Sequence, residues 1–236
     1  MIEYRQKDHY DVKDLVRIIT LLRDPEKGCP WDKVQTHESI RMNFLEEAYE
    51  AVDALDCDDP ELMCEELGDV LMQVVFHACM ENERGRFTWQ DVCDGVCRKL
   101  IFRHPNIFGA QPGTEGINDW DALKNKEKGR ATLAQDLDSV PKAMPALMRA
   151  SKLQKRAERH LGGSPMEGDA LLRAAGQAVE AEPGTAEETV GRLLFETVRL
   201  ARAAGVDPEQ ALQRYNAHCV AETEQTSRQI TPDNGI

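Results

Sequence analysis

The spacing of apolar residues constrains the fold of this chain more than any other feature. Apolar side chains recur every three or four positions along most of the 236 residues, and no segment convincingly alternates apolar and polar residues as a half-buried strand does. The sequence therefore predicts an all-α fold. The main predicted helices cover residues 11–23, 37–55, 60–82, 88–102, 143–159, 169–181, 186–204 and 208–228.

Local signals set several of these helix boundaries. The run Asp58, Asp59, Pro60 is expected to end the second helix. Pro60 suits the first position of the third helix and Asp59 suits its cap. Thr88 and Asp91 have the spacing of a capping box at the start of the fourth helix.

Two parts of the chain align with each other. The segment LEEAYEAVDA at 45–54 aligns with LRAAGQAVEA at 172–181. Further on, EELGDVLMQVVFHA aligns with the segment in which Glu188 matches Glu65. Identity is weak, but spacing and element order agree, which indicates a tandem repeat of a four-helix unit.

This repeat predicts a division into domains. We expect a first helical unit at 1–108, a linker at 109–141 and a second helical unit at 142–236. The linker prediction rests on a high content of Gly, Pro, Asn and Asp, with at most a short helix over 119–128.

Charge is distributed unevenly along the chain. The formal net charge of −13 argues against a general nucleic-acid-binding protein. Residues 98–160 carry 13 Lys and Arg against 7 Asp and Glu, whereas residues 44–69 contain 11 acidic residues and no Lys or Arg. An acidic block followed by a basic block predicts a cation site beside an anion site.

Cysteine usage and hydropathy bear on the compartment. The 7 cysteines are irregularly spaced and form no CxxC pair, which is typical of reduced thiols in a cytoplasmic protein. No apolar run reaches the roughly 18–20 residues that a membrane span needs. The first ten residues are too polar for a signal peptide. We therefore expect a cytoplasmic protein without a membrane partner.

Four acidic residues form two pairs on neighbouring predicted helices. Glu47 and Glu50 are three residues apart on the second helix, and Glu66 and Asp69 are three residues apart on the third. Residues at this spacing share a helix face, and a short connection makes the two helices antiparallel neighbours. The four carboxylates could therefore converge. The alternative is a solvated acidic face.

The surroundings of these acids favour a metal site. After Asp69 the helix reads VLMQVVFHACM, apolar nearly all round, which is typical of a buried helix. Carboxylates that enter a buried face need a counter-charge, and this stretch offers no Lys or Arg. Carboxylate ligands favour Mg²⁺ or Mn²⁺ over zinc. His77 on the same face is expected to be a core residue or to support a ligand.

Four segments together resemble the MazG family of nucleoside triphosphate pyrophosphohydrolases. They are GCPWDKVQTHESI at 28–40, LEEAYEA at 45–51, EELGDVL at 65–71 and KLIFRHPNIFG at 99–109. The resemblance implies an all-α enzyme that hydrolyses nucleoside triphosphates to the monophosphate and pyrophosphate with Mg²⁺, for which Mn²⁺ can substitute. It also implies a homodimer.

The resemblance further implies roles for individual acids and bases. The metal ligands would be Glu47, Glu50, Glu66 and Asp69, with Glu46 as an outer acid that orients water or a second ion. Phosphate contacts would come from Lys99, Arg103 and His104. The chain departs from the family at Phe102, where members often carry a second basic residue. The alternative for Lys99 and Arg103 is that they complement a helix C-terminus.

Three residues are candidates for recognising the base or sugar. Trp31 could stack on a base, or it could anchor its loop in the core. His37 or Asn43 could contact the edge of the base or the sugar.

The second repeat lacks the four acids. It has Ala174, Gln177, Thr189 and Arg192 at the corresponding positions. We therefore expect the first repeat to be catalytic and the second to support folding or dimerisation. Two alternatives to a general triphosphate hydrolase remain: a non-catalytic module that binds metal and nucleotide, and a pyrophosphohydrolase for a phosphoribosylated or non-standard nucleotide.

Overall fold

The chain folds into two compact helical units, Met1–Asn118 and Asp119–Ile236. This architecture comes from a computed structural model that describes residues 4–109, 127–129, 132–162 and 168–230. All regular elements within these ranges are helices, so the predicted all-α class is confirmed. The division between the units falls inside the predicted linker.

The first unit is built around one long helix. Its elements are α1 (Val12–Leu22), a 3₁₀ turn (Asp32–Val34), α2 (Arg41–Cys57), α3 (Pro60–Glu83), α4 (Trp89–Arg103) and α5 (Pro105–Phe108). Helices α1, α2 and α4 all pack against α3. The core of this unit contains Ile19, Ile40, Val75, Phe76, Cys79 and Met80.

The predicted starts of α3 and α4 are confirmed by their capping hydrogen bonds. The Asp59 side chain accepts from the backbone N–H of Glu61 and of Leu62, and Pro60 occupies the first turn of α3. Thr88 and Asp91 form a reciprocal capping box at the start of α4. These bonds satisfy N–H groups that have no partner within the helix.

Helix α2 begins later than the sequence predicted. The expected start was residue 37, but the first helical residue is Arg41. Thr36 and Ser39 explain the difference, because each backbone N–H donates to the hydroxyl of the other residue, at 2.9 and 3.2 Å. These local bonds hold residues 36–39 in a turn that competes with the helix.

Arg23 fastens the segment between α1 and α2 to the end of α3. Its guanidinium forms a two-point ion pair with Glu83, at 2.6 and 2.8 Å, and also donates to the carbonyl oxygens of Asp32 and Gln35. The same group lies over the ring of Phe76, 5.1 Å from its centroid. Arg23 thus orders the loop that leads into α2.

Gly28 allows this loop to pass close to the end of α1. A Cβ atom at position 28 would lie 2.4 Å from the carbonyl oxygens of Leu22 and Asp24. Only glycine, which has no Cβ atom, avoids this clash, and this gives a physical reason for the glycine at position 28.

The second unit contains α6 (Leu133–Asp138), α7 (Ala146–Leu161), α8 (Gly168–Val179), α9 (Ala186–Ala203) and α10 (Pro208–Ile230). Helix α9 packs against α7, α8 and α10. Helix α6 lies in the segment predicted as a linker and packs against α7. Most of the short helix predicted over 119–128 lies outside the described residues.

Buried charge ties α6 to α7. Asp136 is 1% exposed, and its carboxylate lies 3.3 Å from Arg156, 3.5 Å from Arg159 and 3.2 Å from His160. Partners of this kind compensate a carboxylate for the loss of water. Across the described residues, no helix is both long enough and apolar enough to cross a membrane.

Candidate functional site

Three of the predicted ligands converge between α2 and α3. Glu47 on α2 and Glu66 and Asp69 on α3 each place a carboxylate oxygen within 4.8 Å of the other two. The two-residue connection between the helices makes them neighbours, and the i, i+3 spacing turns both acids of α3 to the same side. All three residues are half-buried.

The other two predicted acids lie at the edge of this group. Glu50 and Glu46 are exposed and do not belong to the set of three converging carboxylates. The charge of each nevertheless helps to raise the pKa of Glu47. The predicted convergence of four carboxylates is therefore seen for three. Metal ligation by Glu50 stays a prediction.

The carboxylates destabilise one another when ionised. Burial is the main cause that raises the pKa of Glu47, and the negative charge of Asp69 adds to it. The pKa of Glu66 is raised mainly by burial and then by Asp69, Glu65 and Glu47. Both shifts mean that the ionised forms lack compensation within the protein.

This arrangement fits a hard divalent cation. The three converging ligands are all carboxylate oxygens, which suit Mg²⁺ or Mn²⁺, and neither His nor Cys joins them among the described residues. A bound cation would supply the counter-charge that residues 44–69 do not provide.

Gln73 extends the group along α3. Its side-chain Nε2–H donates to Glu47 Oε1 at 3.4 Å, and the residue is only 7% exposed. Its Oε1 atom is buried and has no hydrogen-bond partner among the described residues. Gln73 was not among the site residues predicted from the sequence. The signal was its position four residues after Asp69.

His37 and His77 form a second polar cluster around the buried Glu81. The two imidazole rings stack with their centroids 5.0 Å apart, and their Nδ1 atoms are 2.7 Å apart. His37 Nε2 contacts the Glu81 carboxylate, which Arg84 and Arg86 also contact. His77 is thus half-buried and stacked on His37, and its predicted role as a core residue or as support for a ligand stays a prediction.

Electrostatics agree with this description. Burial is the main cause that lowers the pKa of His77, and the nearby His37 adds to it. Burial alone would raise the pKa of Glu81, but hydrogen bonds from Arg86 and His37 outweigh it and lower that pKa. Both ring nitrogens of His37 contact protein groups, so its predicted contact with a nucleotide requires one of these contacts to be exchanged.

The other two candidates for base recognition differ in exposure. Trp31 is 56% exposed at the start of the 3₁₀ turn, so the alternative of a buried loop anchor is wrong. Asn43 is half-buried in the first turn of α2, on the helix that carries Glu47. Their predicted contacts with base or sugar stay predictions.

The predicted phosphate ligands lie at the end of α4. Lys99 and Arg103 are half-buried and one helical turn apart, on a helix that packs against α3. His104 follows at the helix end, where its Nδ1–H donates to the carbonyl oxygen of Leu100 at 2.7 Å. Their contact with phosphate stays a prediction.

The corresponding positions of the second unit form a different contact. Arg192 on α9 donates from Nη1 to Oε1 of Gln177 on α8, at 3.5 Å. Ala174 is buried, and the hydroxyl of Thr189 donates to backbone carbonyl oxygens of its own helix. These four residues offer a divalent cation no carboxylate.

Comparisons with known proteins relate the chain to one family. The family described as "MazG nucleotide pyrophosphohydrolase domain" matches residues 35–108, a range that contains Glu47, Glu66, Asp69 and all of α4 and α5. Relatives extend well beyond this range.

Three of these relatives carry names that state an activity. The "Nucleoside triphosphate pyrophosphohydrolase" of Escherichia coli K12 is 42% identical over 217 residues, which cover 86% of this chain and 81% of the relative. The "Nucleoside triphosphate pyrophosphohydrolase/pyrophosphatase MazG" of Thermotoga maritima is 39% identical over 207 residues, covering 86% and 80%. A Mycolicibacterium smegmatis protein with the same name as the first is 34% identical over 198 residues, covering 80% and 60%.

Proposed function

The chain belongs to the MazG family of nucleotide pyrophosphohydrolases, which are hydrolases, and we propose that it converts nucleoside triphosphates to the monophosphate and pyrophosphate with Mg²⁺ as cofactor. The observation that carries this proposal is the convergence of Glu47, Glu66 and Asp69 within 4.8 Å in a segment free of Lys and Arg.

The carboxylates of the first unit would hold the cation. Glu47, Glu66 and Asp69 are the ligands, and the exposed Glu50, one helical turn after Glu47, is the fourth. A bound Mg²⁺ or Mn²⁺ polarises the α-phosphoryl group and offsets the charge of the triphosphate.

Water is the nucleophile in this proposal. Neither His nor Cys joins the three carboxylates among the described residues, so a covalent intermediate on the protein is not expected. Glu46 is exposed beside Glu47 and orients the attacking water. Attack at the α-phosphorus expels pyrophosphate.

The basic end of α4 binds the leaving group. Lys99 and Arg103 donate hydrogen bonds to the β- and γ-phosphate oxygens. Charge-assisted hydrogen bonds of this kind are stronger than neutral ones, so they suit a charged leaving group. His104 adds a further contact. Trp31, more than half exposed, stacks on the base, and His37 and Asn43 contact the base edge or the sugar.

A panel of nucleotides tests this proposal. Pyrophosphate release is measured with ribo- and deoxyribonucleoside triphosphates and with a phosphoribosylated nucleotide, each with Mg²⁺, Mn²⁺ or EDTA. In ¹⁸O water, the label is expected in the monophosphate only. Metal and nucleotide binding without turnover would favour a regulatory module. Label in pyrophosphate, or release of inorganic phosphate, would contradict attack at the α-phosphorus.

We also propose that the protein is a homodimer. Helix α2 exposes an apolar stripe at alternating spacings of three and four residues, the spacing of a helix–helix seam. Its members are Met42 (61% exposed), Leu45 (37%), Tyr49 (54%) and Val52 (51%). Exposed apolar surface of this kind is typical of an interaction site.

Light scattering during size-exclusion chromatography tests the dimer. The wild type is expected to have twice the mass of the chain, and Val52→Lys is expected to shift it toward the monomer. Val34→Lys is the control, because Val34 is also exposed (66%) but lies outside the stripe. A monomeric wild type at assay concentration would contradict the proposal.

A cytoplasmic location is the remaining proposal. All 7 cysteines, each within the described residues, are free thiols, and Cys57, Cys64 and Cys97 are exposed. Exposed thiols persist in a reducing compartment.

A further inference from the structure

We propose that Gln73 is a positioning residue of the carboxylate site, which holds Glu47 through its amide nitrogen and accepts a hydrogen bond from a cation-bound water through its amide oxygen. This inference rests on the proposed function, because it assumes that the site binds a divalent cation.

Gln73 lies at the interface between α2 and α3. It lies on α3 one turn beyond Asp69, and its side chain is almost fully buried at 7% exposure. Its Nε2–H donates to Glu47 Oε1 across the α2–α3 interface, at 3.4 Å. Gln73 therefore contacts one of the three converging carboxylates directly.

The side-chain amide of Gln73 can face an ionised Glu47 in one orientation only. An ionised carboxylate only accepts hydrogen bonds, so Gln73 must turn its nitrogen, and not its oxygen, toward Glu47. The oxygen is bonded to the same carbon as that nitrogen, which keeps it close to Glu47. It is buried and has no partner among the described residues.

The amide oxygen of Gln73 needs a hydrogen-bond donor. The carboxylates of Glu47, Glu66 and Asp69 cannot supply it, because they are all acceptors when ionised. A water molecule or a bound ligand has to bring the donor. Mg²⁺ usually keeps several of its waters when carboxylates bind it, and the O–H groups of those waters are donors. A buried polar atom without a partner is uncommon in folded proteins, which makes such a water the natural occupant.

Gln154 of the second unit provides a matched comparison. It is also a buried glutamine, at 4% exposure. Its Nε2–H donates to the carbonyl oxygen of Phe195 at 2.7 Å, and its Oε1 accepts from Arg202 at 3.3 Å. Both ends of this amide are satisfied within the protein, so Gln154 has a structural role.

The test compares Gln73→Met with Gln154→Met in the full chain. Methionine keeps much of the side-chain volume and removes the amide. Dissociation constants for Mg²⁺ and Mn²⁺ are measured without nucleotide by calorimetry, and melting temperatures are measured in EDTA. For Gln73→Met we expect cation affinity to fall about 10–100-fold, as for residues that support a metal ligand. Its melting temperature in EDTA is not expected to fall, because the loss of the donor to Glu47 is offset by removal of the buried amide oxygen that has no partner.

Gln154→Met is expected to show the opposite result. It lowers the melting temperature, because the carbonyl oxygen of Phe195 and the Arg202 guanidinium each lose a hydrogen-bond partner, and it leaves cation affinity within about twofold of the wild type. If Gln73→Met does not fold, Gln73→Leu replaces it. A lower melting temperature for Gln73→Met with unchanged cation affinity would make Gln73 merely structural and overturn the inference.

Failure of the inference and failure of the proposed function give different results. A wild type that binds neither cation and releases no pyrophosphate would overturn both. A wild type that binds Mg²⁺ and hydrolyses triphosphates, beside a Gln73→Met protein with the same cation affinity, would overturn only the role of Gln73.

Discussion

The α2–α3 pair and the α8–α9 pair are both packed pairs of consecutive helices, but the charges at their aligned positions differ. The first brings Glu47, Glu66 and Asp69 together without a basic partner. At the aligned positions of the second, Arg192 donates to the amide oxygen of Gln177 at 3.5 Å. The aligned positions of the second pair thus hold a neutral amide beside a cation, whereas those of the first hold a concentration of negative charge.

The two helix pairs share a buried apolar position although their charges differ. Val75 of α3 and Val198 of α9 are aligned positions, and both are fully buried at 0% exposure. Apolar side chains at this position serve packing in both pairs, while the polar residues at the aligned site positions differ, and in our proposal this difference restricts cation binding to the first pair. The tandem repeat itself stays a prediction that these positions support.

The largest expected effect separates the two pairs by catalysis. Asp69→Asn keeps the shape of the side chain and removes one of the converging charges. We expect it to abolish pyrophosphate release, a loss well over about 100-fold and beyond the range for residues that only support a ligand. Arg192→Leu, at the aligned position of α9, is expected to leave turnover within about twofold. A comparable loss in both variants would break the comparison.

A second pair of variants tests whether the exposed Glu50 is a metal ligand. Glu50→Ala is expected to abolish activity, since the family resemblance makes it a ligand. Glu188→Ala, which removes an exposed acid from α9, is expected to leave activity intact. Steady-state pyrophosphate release measures both. Near-normal turnover of Glu50→Ala would limit the ligand set to the three carboxylates that converge.

The third expected effect is on stability. Mg²⁺ that binds only the folded protein stabilises it by RT ln(1 + [L]/Kd), about 2.7 kcal/mol at 100 times Kd. Thermal melts in EDTA and in millimolar Mg²⁺ measure this effect. Asp69→Asn is expected to lose most of the magnesium-dependent rise. In EDTA it should melt no lower than the wild type, because one repelling charge is gone.

Arg192→Leu is the matched control for these melts, because it is expected to keep the full rise with Mg²⁺. If Asp69→Asn retained that rise, Asp69 would not be a ligand.

The smallest expected effect is a difference in pH dependence without metal. The raised pKa of Glu47 means that its contribution to stability is fully present below the ordinary pKa of 4.5 and is lost as pH rises through the folded value. Glu47→Gln is therefore expected to gain in melting temperature relative to the wild type as pH rises above 4.5.

Glu158 of the second unit is expected to behave oppositely. Its hydrogen bond with Arg202 is the main cause that lowers its pKa, so its contribution is present above the ordinary value of 4.5 and is lost as pH falls through the folded value. Glu158→Gln should thus melt below the wild type at neutral pH and approach it in acid. Parallel pH profiles of the two variants would contradict this.

The sequence by itself determined the helices and many of their ends. Period-3.6 patterning predicted the main helices of both units, and the caps at Asp59 and Thr88 are where local spacing put them. Such features depend on hydrogen bonds and side-chain contacts within one or two turns, which adjacent residues specify. The apolar run after Asp69 likewise predicted the buried end of α3, where Met80 is 1% exposed.

Only the tertiary structure decided which polar side chains meet. Glu47 and Glu50 have the same spacing as Glu66 and Asp69, yet Glu50 stays outside the converging group. Which side chains meet depends on how α2 is rotated against α3 and on the rotamers that packing allows, and neither can be read from residue spacing. The unpartnered oxygen of Gln73 arises in the same way, because the burial of a side-chain atom and its hydrogen-bond partners are decided only when the helices pack.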